Sequence, residues 1–147
     1  MNRRGLLLGG ISVSVLWISG CGKSDPGHGP GRVHWDRDSC ARCRMIVSDR
    51  RFAAQIRGGE KRQVFQFDDI GCAIFWLKEN NPPWATAPDT EIWVADTQSG
   101  AWLDARTAHF VSGKTTPMLY GYGAVREPVS GSVDFATLKA AILAKGR

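Results

Sequence analysis

The pattern of hydrophobic and polar positions predicts three strands in the first half of the chain. Residues 51–57 alternate as a strand with one buried face does, and residues 60–67 follow with apolar contacts near their end. Gly58-Gly59 between them is typical of a two-residue hairpin turn. Residues 91–95 form a further apolar segment of strand length.

One helix is predicted between the second and third of these strands. Residues 70–80 carry apolar side chains at helical spacing. Asp68 and Asp69 precede them as a capping pair with acid at the helix start, and the Asn-Asn-Pro-Pro at 80–83 ends the helix. The order β-β-α-β is therefore predicted over residues 51–96.

The second half has a weaker pattern of the same kind. Residues 101–105 and 108–113 are strand candidates, residues 120–123 are a glycine-aromatic loop, and residues 135–144 have helical spacing. Together the two halves predict an α+β fold with mostly antiparallel strands.

The N-terminus is typical of an exported lipoprotein. Arg3 and Arg4 precede an uncharged apolar run, and small residues lead directly to Cys21. We interpret residues 1–20 as a lipoprotein signal peptide and Cys21 as the acylated first residue. The adjacent arginines also resemble a twin-arginine export signal, and the alternative to processing is an uncleaved anchor, although the apolar run is short for a membrane span. Gly22 lacks the usual cue for inner-membrane retention, which leaves outer-membrane sorting open.

Residues 21–35 contain so much glycine and proline that we expect a flexible tether. The remaining length suits one domain or two very small ones. The formal net charge of +5 falls to +3 when Arg3 and Arg4 are removed with the signal. So mild a charge does not call for a nucleic-acid partner.

The densest chemistry in the sequence is a Cys-x-x-Cys-x-Met motif. In an extended backbone Cys43 and Met45 point to the same side, and Cys40 can approach Cys43 through a turn. Soft sulfur ligands select Cu(I), or zinc and iron–sulfur centres when only thiolates are present. The methionine favours Cu(I), because zinc has little use for a thioether.

Other functions of the same cysteines remain open. Cys40 and Cys43 could form a plain disulfide in an oxidising compartment, act as a redox pair, or hold structural zinc. A thioredoxin-like pair normally opens a helix after a strand, whereas this motif follows a tether and precedes a strand. A zinc ribbon needs a second closely spaced pair, and Cys72, alone in the predicted helix, is expected to be a small core residue.

The order of motifs resembles the NosL family of lipoproteins across residues 38–124. The Phe-Asp-Asp-Ile-Gly string is its most specific part, and the family typically has glycine where this chain has Arg44. After the lipobox, the resemblance rests on Cys-x-x-Cys-x-Met at 40–45, Phe-Asp-Asp-Ile-Gly-Cys at 67–72, Trp-Leu-Asp-Ala at 102–105 and Pro-Met at 117–118.

This resemblance implies a fold and a copper site. The implied fold is a tandem of two β-β-α-β units, here residues 36–97 and a divergent second unit at 98–147. Family members bind Cu(I) through the cysteine and methionine of Cys-x-Met and through a later methionine after proline. The implied ligands are therefore Cys43, Met45 and Met118, with Cys40 as a helper or disulfide partner.

The resemblance also implies a function. Family members deliver Cu(I) to nitrous oxide reductase during assembly of its copper–sulfide centre. We therefore expect a non-catalytic periplasmic chaperone, anchored to the bilayer through Cys21, whose partners are a copper enzyme and its assembly proteins. The alternatives are a thiol–disulfide redox lipoprotein that uses Cys40 and Cys43, and a structural lipoprotein with a disulfide. No nucleophile–base pair or phosphate-binding glycine loop in the sequence points to an enzyme.

Overall fold

The computed structural model describes residues 24–146 and has the α+β composition that the sequence predicts. The predicted signal peptide and Cys21 lie outside these residues. Among the described residues, no helix is both long enough and apolar enough to cross a bilayer. The elements in chain order are β1 (Ala54–Gly58), β2 (Gln63–Phe67), α1 (Ile70–Asn80), β3 (Glu91–Ala95), β4 (Trp102–Asp104), β5 (His109–Val111), β6 (Gly123–Val125) and α2 (Phe135–Lys145).

The larger sheet has the strand order β2-β1-β3-β4, and every neighbouring pair is antiparallel. All five residues of β1 are buried, because this strand lies inside the sheet. Its Ile56 joins a hydrophobic core that includes Phe67 from β2 and Ile74 from α1. The predicted β-β-α-β order is confirmed for this half.

The hairpin between β1 and β2 is longer than predicted. Gly58 pairs with Gln63, so the loop has the four residues between them rather than a two-residue Gly-Gly turn. The Arg62 N–H donates to the Gly59 carbonyl at 2.9 Å, which closes the loop. Arg62 itself bonds to the carboxylate of Glu91 on β3. The Gly-Gly pair alone indicates neither this loop length nor the tertiary ion pair that the loop makes.

The second half adds one strand to the first sheet and builds a small sheet of its own. β4 pairs with β3, whereas β5 pairs with β6 in a separate antiparallel pair that precedes α2. A parallel bridge between Asp96 and Ala124 joins the end of β3 to β6. Between residues 24 and 146 no strand follows α2, so this half ends as β-β-α.

The segment before the sheet is bound to it. Arg57 is only 1% exposed; its guanidinium donates to the Gly29 carbonyl at 2.8 Å and pairs with Asp25 at 2.9 Å. Gln55, also on β1, exchanges two hydrogen bonds with the backbone of Gly31. From Asp25 onward, the segment expected to be a tether is therefore hydrogen-bonded to β1 in this structure. The buried polar side chains of β1 need partners, and a bare glycine-rich backbone provides them.

Candidate metal centre

The Cys-x-x-Cys motif lies on a tight loop closed by its own backbone. An antiparallel bridge joins Ser39 to Ile46 across the base of the loop. The Cys40 N–H donates to the Met45 carbonyl at 2.8 Å, and the Arg44 N–H donates to the Cys40 carbonyl at 3.1 Å. The turn puts Arg44 at a φ of 67°, in the left-handed region that glycine occupies most easily. This is the position where the NosL family typically has glycine.

The loop is fixed against the end of β2. The Ala41 N–H donates to the Gln66 carbonyl at 2.8 Å, which places the cysteine loop beside the last residues of that strand. Asp68 follows β2 directly, and α1 then starts after its N-cap Asp69, whose side chain accepts from the Gly71 N–H at 3.0 Å. Cys72 is in the first turn of this helix and therefore faces the same region.

Four potential ligands converge where the loop, the strand end and the helix start meet. One ligand atom from each of Cys40, Cys43, Asp68 and Cys72 lies within 4.8 Å of all the others. Donors about 2.3 Å from a tetrahedral zinc ion are about 3.8 Å apart, so the cluster needs only a small contraction to hold a metal ion. Cys40 and Cys72 are fully buried, whereas Cys43 is partly exposed.

Cys40 is the thiol that the local structure stabilises as a thiolate. The Cys72 thiol donates a hydrogen bond to it, and this is the largest influence on its pKa. Backbone N–H groups of Cys43, Asp68 and Arg42 also donate to it, and together these bonds outweigh burial and lower the pKa of Cys40 to about 4. These hydrogen bonds favour the thiolate form of Cys40, which is a soft anionic ligand.

The other three groups hold protons more strongly than usual. Burial raises the pKa of Cys43 to about 12 against an opposing hydrogen bond from the Met45 N–H, and the bond to Cys40 together with burial raises the pKa of Cys72. Burial and then the nearby Cys40 thiolate raise the pKa of Asp68 to about 6. A metal ion must displace the two thiol protons at neutral pH, so its binding should release protons.

The two methionines implied by the family resemblance are placed differently from the buried thiols. Met45 supplies the carbonyl that closes the loop, but the residue is 58% exposed. Met118 is partly buried and packs against the hydrophobic core. Its N–H donates to Oδ2 of Asp69 at 3.3 Å, which holds its loop at the start of α1.

Asp69 joins the second half of the chain to this site. Besides capping α1, its fully buried carboxylate accepts from the Thr116 hydroxyl at 2.6 Å and from the Met118 N–H. Tyr120, four residues beyond Thr116, places its ring where a side chain on Gly71 would have to be. The 116–120 loop is therefore held on the helix start that carries Cys72.

Sequence reasoning brought together Cys40 and Cys43 but missed Cys72 and Asp68. The position of Cys72 fits the apolar spacing of the helix and therefore predicts a small core residue. A signal was present, since Cys72 is only three positions beyond the N-cap Asp69 and so lies at the open end of the helix. This position indicates a metal ligand only once the cysteine loop is known to lie beside the end of β2.

All three cysteines at this site are free thiols, so no disulfide competes with a metal ion in this structure. The described residues therefore contain a Cys3Asp cluster that can hold a metal ion. No protein-family model matches the chain, and no curated protein matches it either.

Proposed function

We propose that this protein binds Cu(I) at the Cys40–Cys43–Cys72 thiols and carries it to a copper enzyme outside the cytoplasm. The observation that supports the proposal most directly is the convergence of three thiols from two separate segments within 4.8 Å. Thiolate sulfur is a soft ligand, and Cu(I) is among the ions that soft ligands select.

The uneven exposure of the sulfurs suits a carrier. Cys40 and Cys72 are shielded from solvent, whereas Cys43 is partly exposed and can exchange its metal with an incoming ligand. Met45 lies two residues further along the same loop and is 58% exposed. In the proposed mechanism the thiolates are the resident ligands and the Met45 thioether is a transient ligand during transfer. Met118, held next to the site through Asp69, is the second candidate for this transient role.

The anchor and the recipient are part of the same proposal. The lipobox before Cys21 supports attachment to a membrane, with the domain in the periplasm. The resemblance to the NosL family supports nitrous oxide reductase as the recipient. In this role the protein binds and hands over an ion and carries out no reaction of its own.

Asp68 favours a second candidate function, the binding of zinc. A carboxylate oxygen is an ordinary zinc ligand, and three thiolates with one carboxylate complete a tetrahedral site. Cu(I) has little need of this hard ligand. The two candidates therefore differ in how much the Asp68 carboxylate contributes to affinity.

The decisive measurement is a Cu(I) titration of the reduced, processed protein in competition with a chromophoric Cu(I) chelator, followed by the same titration with zinc. The chaperone proposal expects one Cu(I) per chain, bound much more tightly than a dissociation constant of about 1 μM. Weaker Cu(I) binding together with tight zinc binding would favour the zinc site. Copper-free nitrous oxide reductase should then gain copper from the loaded protein faster than from the chelator complex.

The thiol–disulfide alternative is separated by a different readout. A redox protein that uses Cys40 and Cys43 should reduce a disulfide substrate such as insulin, lose this activity when either cysteine becomes serine, and be indifferent to Met45→Leu. A Cu(I) carrier should show no such activity, and Met45→Leu should slow its transfer of copper.

A further inference from the structure

Arg42, between the two cysteines of the motif, has an unusually complete set of contacts for a surface-loop arginine. Its guanidinium donates to both carboxylate oxygens of Glu79, at distances from 2.7 to 3.1 Å. It also donates to the Tyr120 hydroxyl at 2.8 Å and lies over the Phe75 ring, 4.7 Å from its centroid. The Arg42 side chain is only 18% exposed, so these contacts are partly shielded from water.

These contacts join the three segments that surround the metal centre. Arg42 belongs to the cysteine loop, Phe75 and Glu79 belong to the helix that carries Cys72, and Tyr120 belongs to the 116–120 loop. The Tyr120 ring packs 5.8 Å from the Phe75 ring, so the guanidinium and two aromatic rings form one contact region. Only a planar fork can satisfy the carboxylate, the hydroxyl and the ring face together.

The neighbouring arginines lack this role. Arg44 is exposed at the tip of the same loop, and Arg51 pairs with Asp49 only two residues away. A local pair of this kind holds no distant segments together, and exposed pairs contribute little to stability. Of these three arginines, Arg42 is the one whose contacts cross from the cysteine loop to the helix.

We propose that Arg42 is the positioning residue of the metal centre: it clamps the Cys40–Cys43 loop onto α1 and so sets the spacing between these two thiols and Cys72. This inference rests on the proposed metal-binding function. Cys40 and Cys43 are covalently close to each other, but nothing covalent holds them near Cys72. The Arg42 clamp provides that link from the outside, in the way that partners of metal ligands commonly fix ligand geometry.

The test compares metal affinity across Arg42→Ala, Arg42→Lys and Glu79→Gln in the processed protein. Loss of an outer partner typically costs about 10–100-fold in metal affinity, and we expect a loss in this range for Arg42→Ala. Arg42→Lys should recover little of it, because an ammonium group retains the charge but cannot form the fork or stack in the same way. Glu79→Gln should give a smaller loss, and Arg44→Ala should give none.

A matched control separates a positioning role of Arg42 from a general loss of stability as the cause of weaker metal binding. Ile142→Val removes one methylene-sized group from the buried face of α2 and lowers stability without touching the Arg42 contacts. If Ile142→Val weakens metal binding as much as Arg42→Ala at equal stability, Arg42 has no positioning role. The visible spectrum of the Co(II)-substituted protein adds a readout of ligand geometry, which should change in Arg42→Ala and stay unchanged in Ile142→Val.

Thiol alkylation separates failure of this inference from failure of the proposed function. In the metal-free wild-type protein, the fully buried Cys40 and Cys72 should react slowly with iodoacetamide. Arg42→Ala should accelerate the alkylation of Cys40, read by mass spectrometry, even if the wild-type protein binds neither Cu(I) nor zinc. If the wild-type protein binds the metal, and Arg42→Ala changes neither the metal affinity nor the alkylation rate, only the positioning role is overturned.

Discussion

The Sγ of Cys43 donates a hydrogen bond to Oδ1 of Asp68, at a distance of 3.4 Å. This contact joins the most accessible thiol of the centre to a buried carboxylate. Burial and the Cys40 thiolate raise the pKa of that carboxylate to about 6. Asp68 is therefore ionised at neutral pH, and its buried charge lowers the stability of the metal-free protein. A bound cation would stabilise this charge.

Substitution of Asp68 by asparagine should stabilise the metal-free protein at high pH only. Because the pKa of Asp68 in the folded protein lies above its usual value of 3.8, its contribution to stability is complete below pH 3.8 and is lost as the pH rises through 6. An asparagine side chain does not ionise, so Asp68→Asn should gain at most about 3 kcal/mol over wild type above pH 7 and nothing near pH 3.5. Urea unfolding of the reduced, metal-free proteins at a series of pH values measures this difference.

The same variant should bind zinc more weakly, while Cu(I) binding changes little if the three thiolates are sufficient. A stability difference between the proteins that is the same at pH 3.5 and pH 7 would contradict the raised pKa of Asp68.

Cys72→Ser should weaken metal binding far more than Met45→Leu. Cys72 is fully buried within the cluster, whereas Met45 is 58% exposed. Loss of a direct ligand should exceed the loss of about 10–100-fold that is typical of an outer partner. Equilibrium competition with a Cu(I) chelator measures both variants, and Cys72→Ala controls for the serine hydroxyl.

The opposite ranking would restore the ligand set of the family resemblance, in which Cys43, Met45 and Met118 hold the ion. Urea unfolding of metal-free Cys72→Ser shows whether the fold survives the substitution. A normally folded variant with normal Cu(I) affinity would remove Cys72 from the site.

Asp69→Ala should destabilise the fold by about 2–4 kcal/mol. The substitution removes the cap of α1 and leaves the Thr116 hydroxyl and the Met118 N–H without their buried acceptor. Asp69→Asn should cost less, because its amide oxygen can still cap the helix. Asp134 caps α2 from an exposed position, so Asp134→Ala is the matched control and should be milder. Equal losses for the two alanine variants would show that the contacts to the 116–120 loop contribute nothing.

Gly71→Ala should cost about 1–3 kcal/mol through a clash with Tyr120. A Cβ at position 71 would lie 2.1 Å from the ring carbon Cγ of Tyr120, closer than any packing allows. Tyr120→Ala removes the obstacle, so the double variant should be no less stable than Tyr120→Ala alone. Thermal unfolding of the three variants tests this, and strictly additive losses would rule out the clash as the cause.

Much of the fold could be predicted because it depends on local pattern. The apolar spacing from Ile70 to Asn80 and the cap at Asp69 are properties of a short segment, and the helix begins and ends where they predict. The alternation around Ile56 likewise predicts a strand with one buried face, and a strand lies there, although all five of its residues are buried. The loop after Gly58 is longer than the Gly-Gly pair predicts, and its Arg62 bonds to Glu91 on another strand, a contact that the local pattern does not show.

The glycine-rich segment before β1 also shows the difference between what local sequence predicts and what tertiary contacts decide. Its composition predicts a flexible tether, since it contains no side chains that could build a core. Arg57 and Gln55 nevertheless bind its backbone, because a buried guanidinium and a buried amide require acceptors and donors. The side chains that need these hydrogen-bond partners belong to β1, and the sequence of the glycine-rich segment does not indicate them.

By itself, the sequence determined that two cysteines separated by two residues lie on one turn, since only a few bonds separate Cys40 from Cys43. The tertiary structure decided that Cys72 and Asp68 join them and that Met45 stays largely exposed. The Ala41–Gln66 hydrogen bond and the Arg42 contacts bring the loop to the helix start. The physical reason is that these contacts join residues that are far apart in the chain. Ligands from distant segments converge only when such contacts form, and no local pattern encodes them.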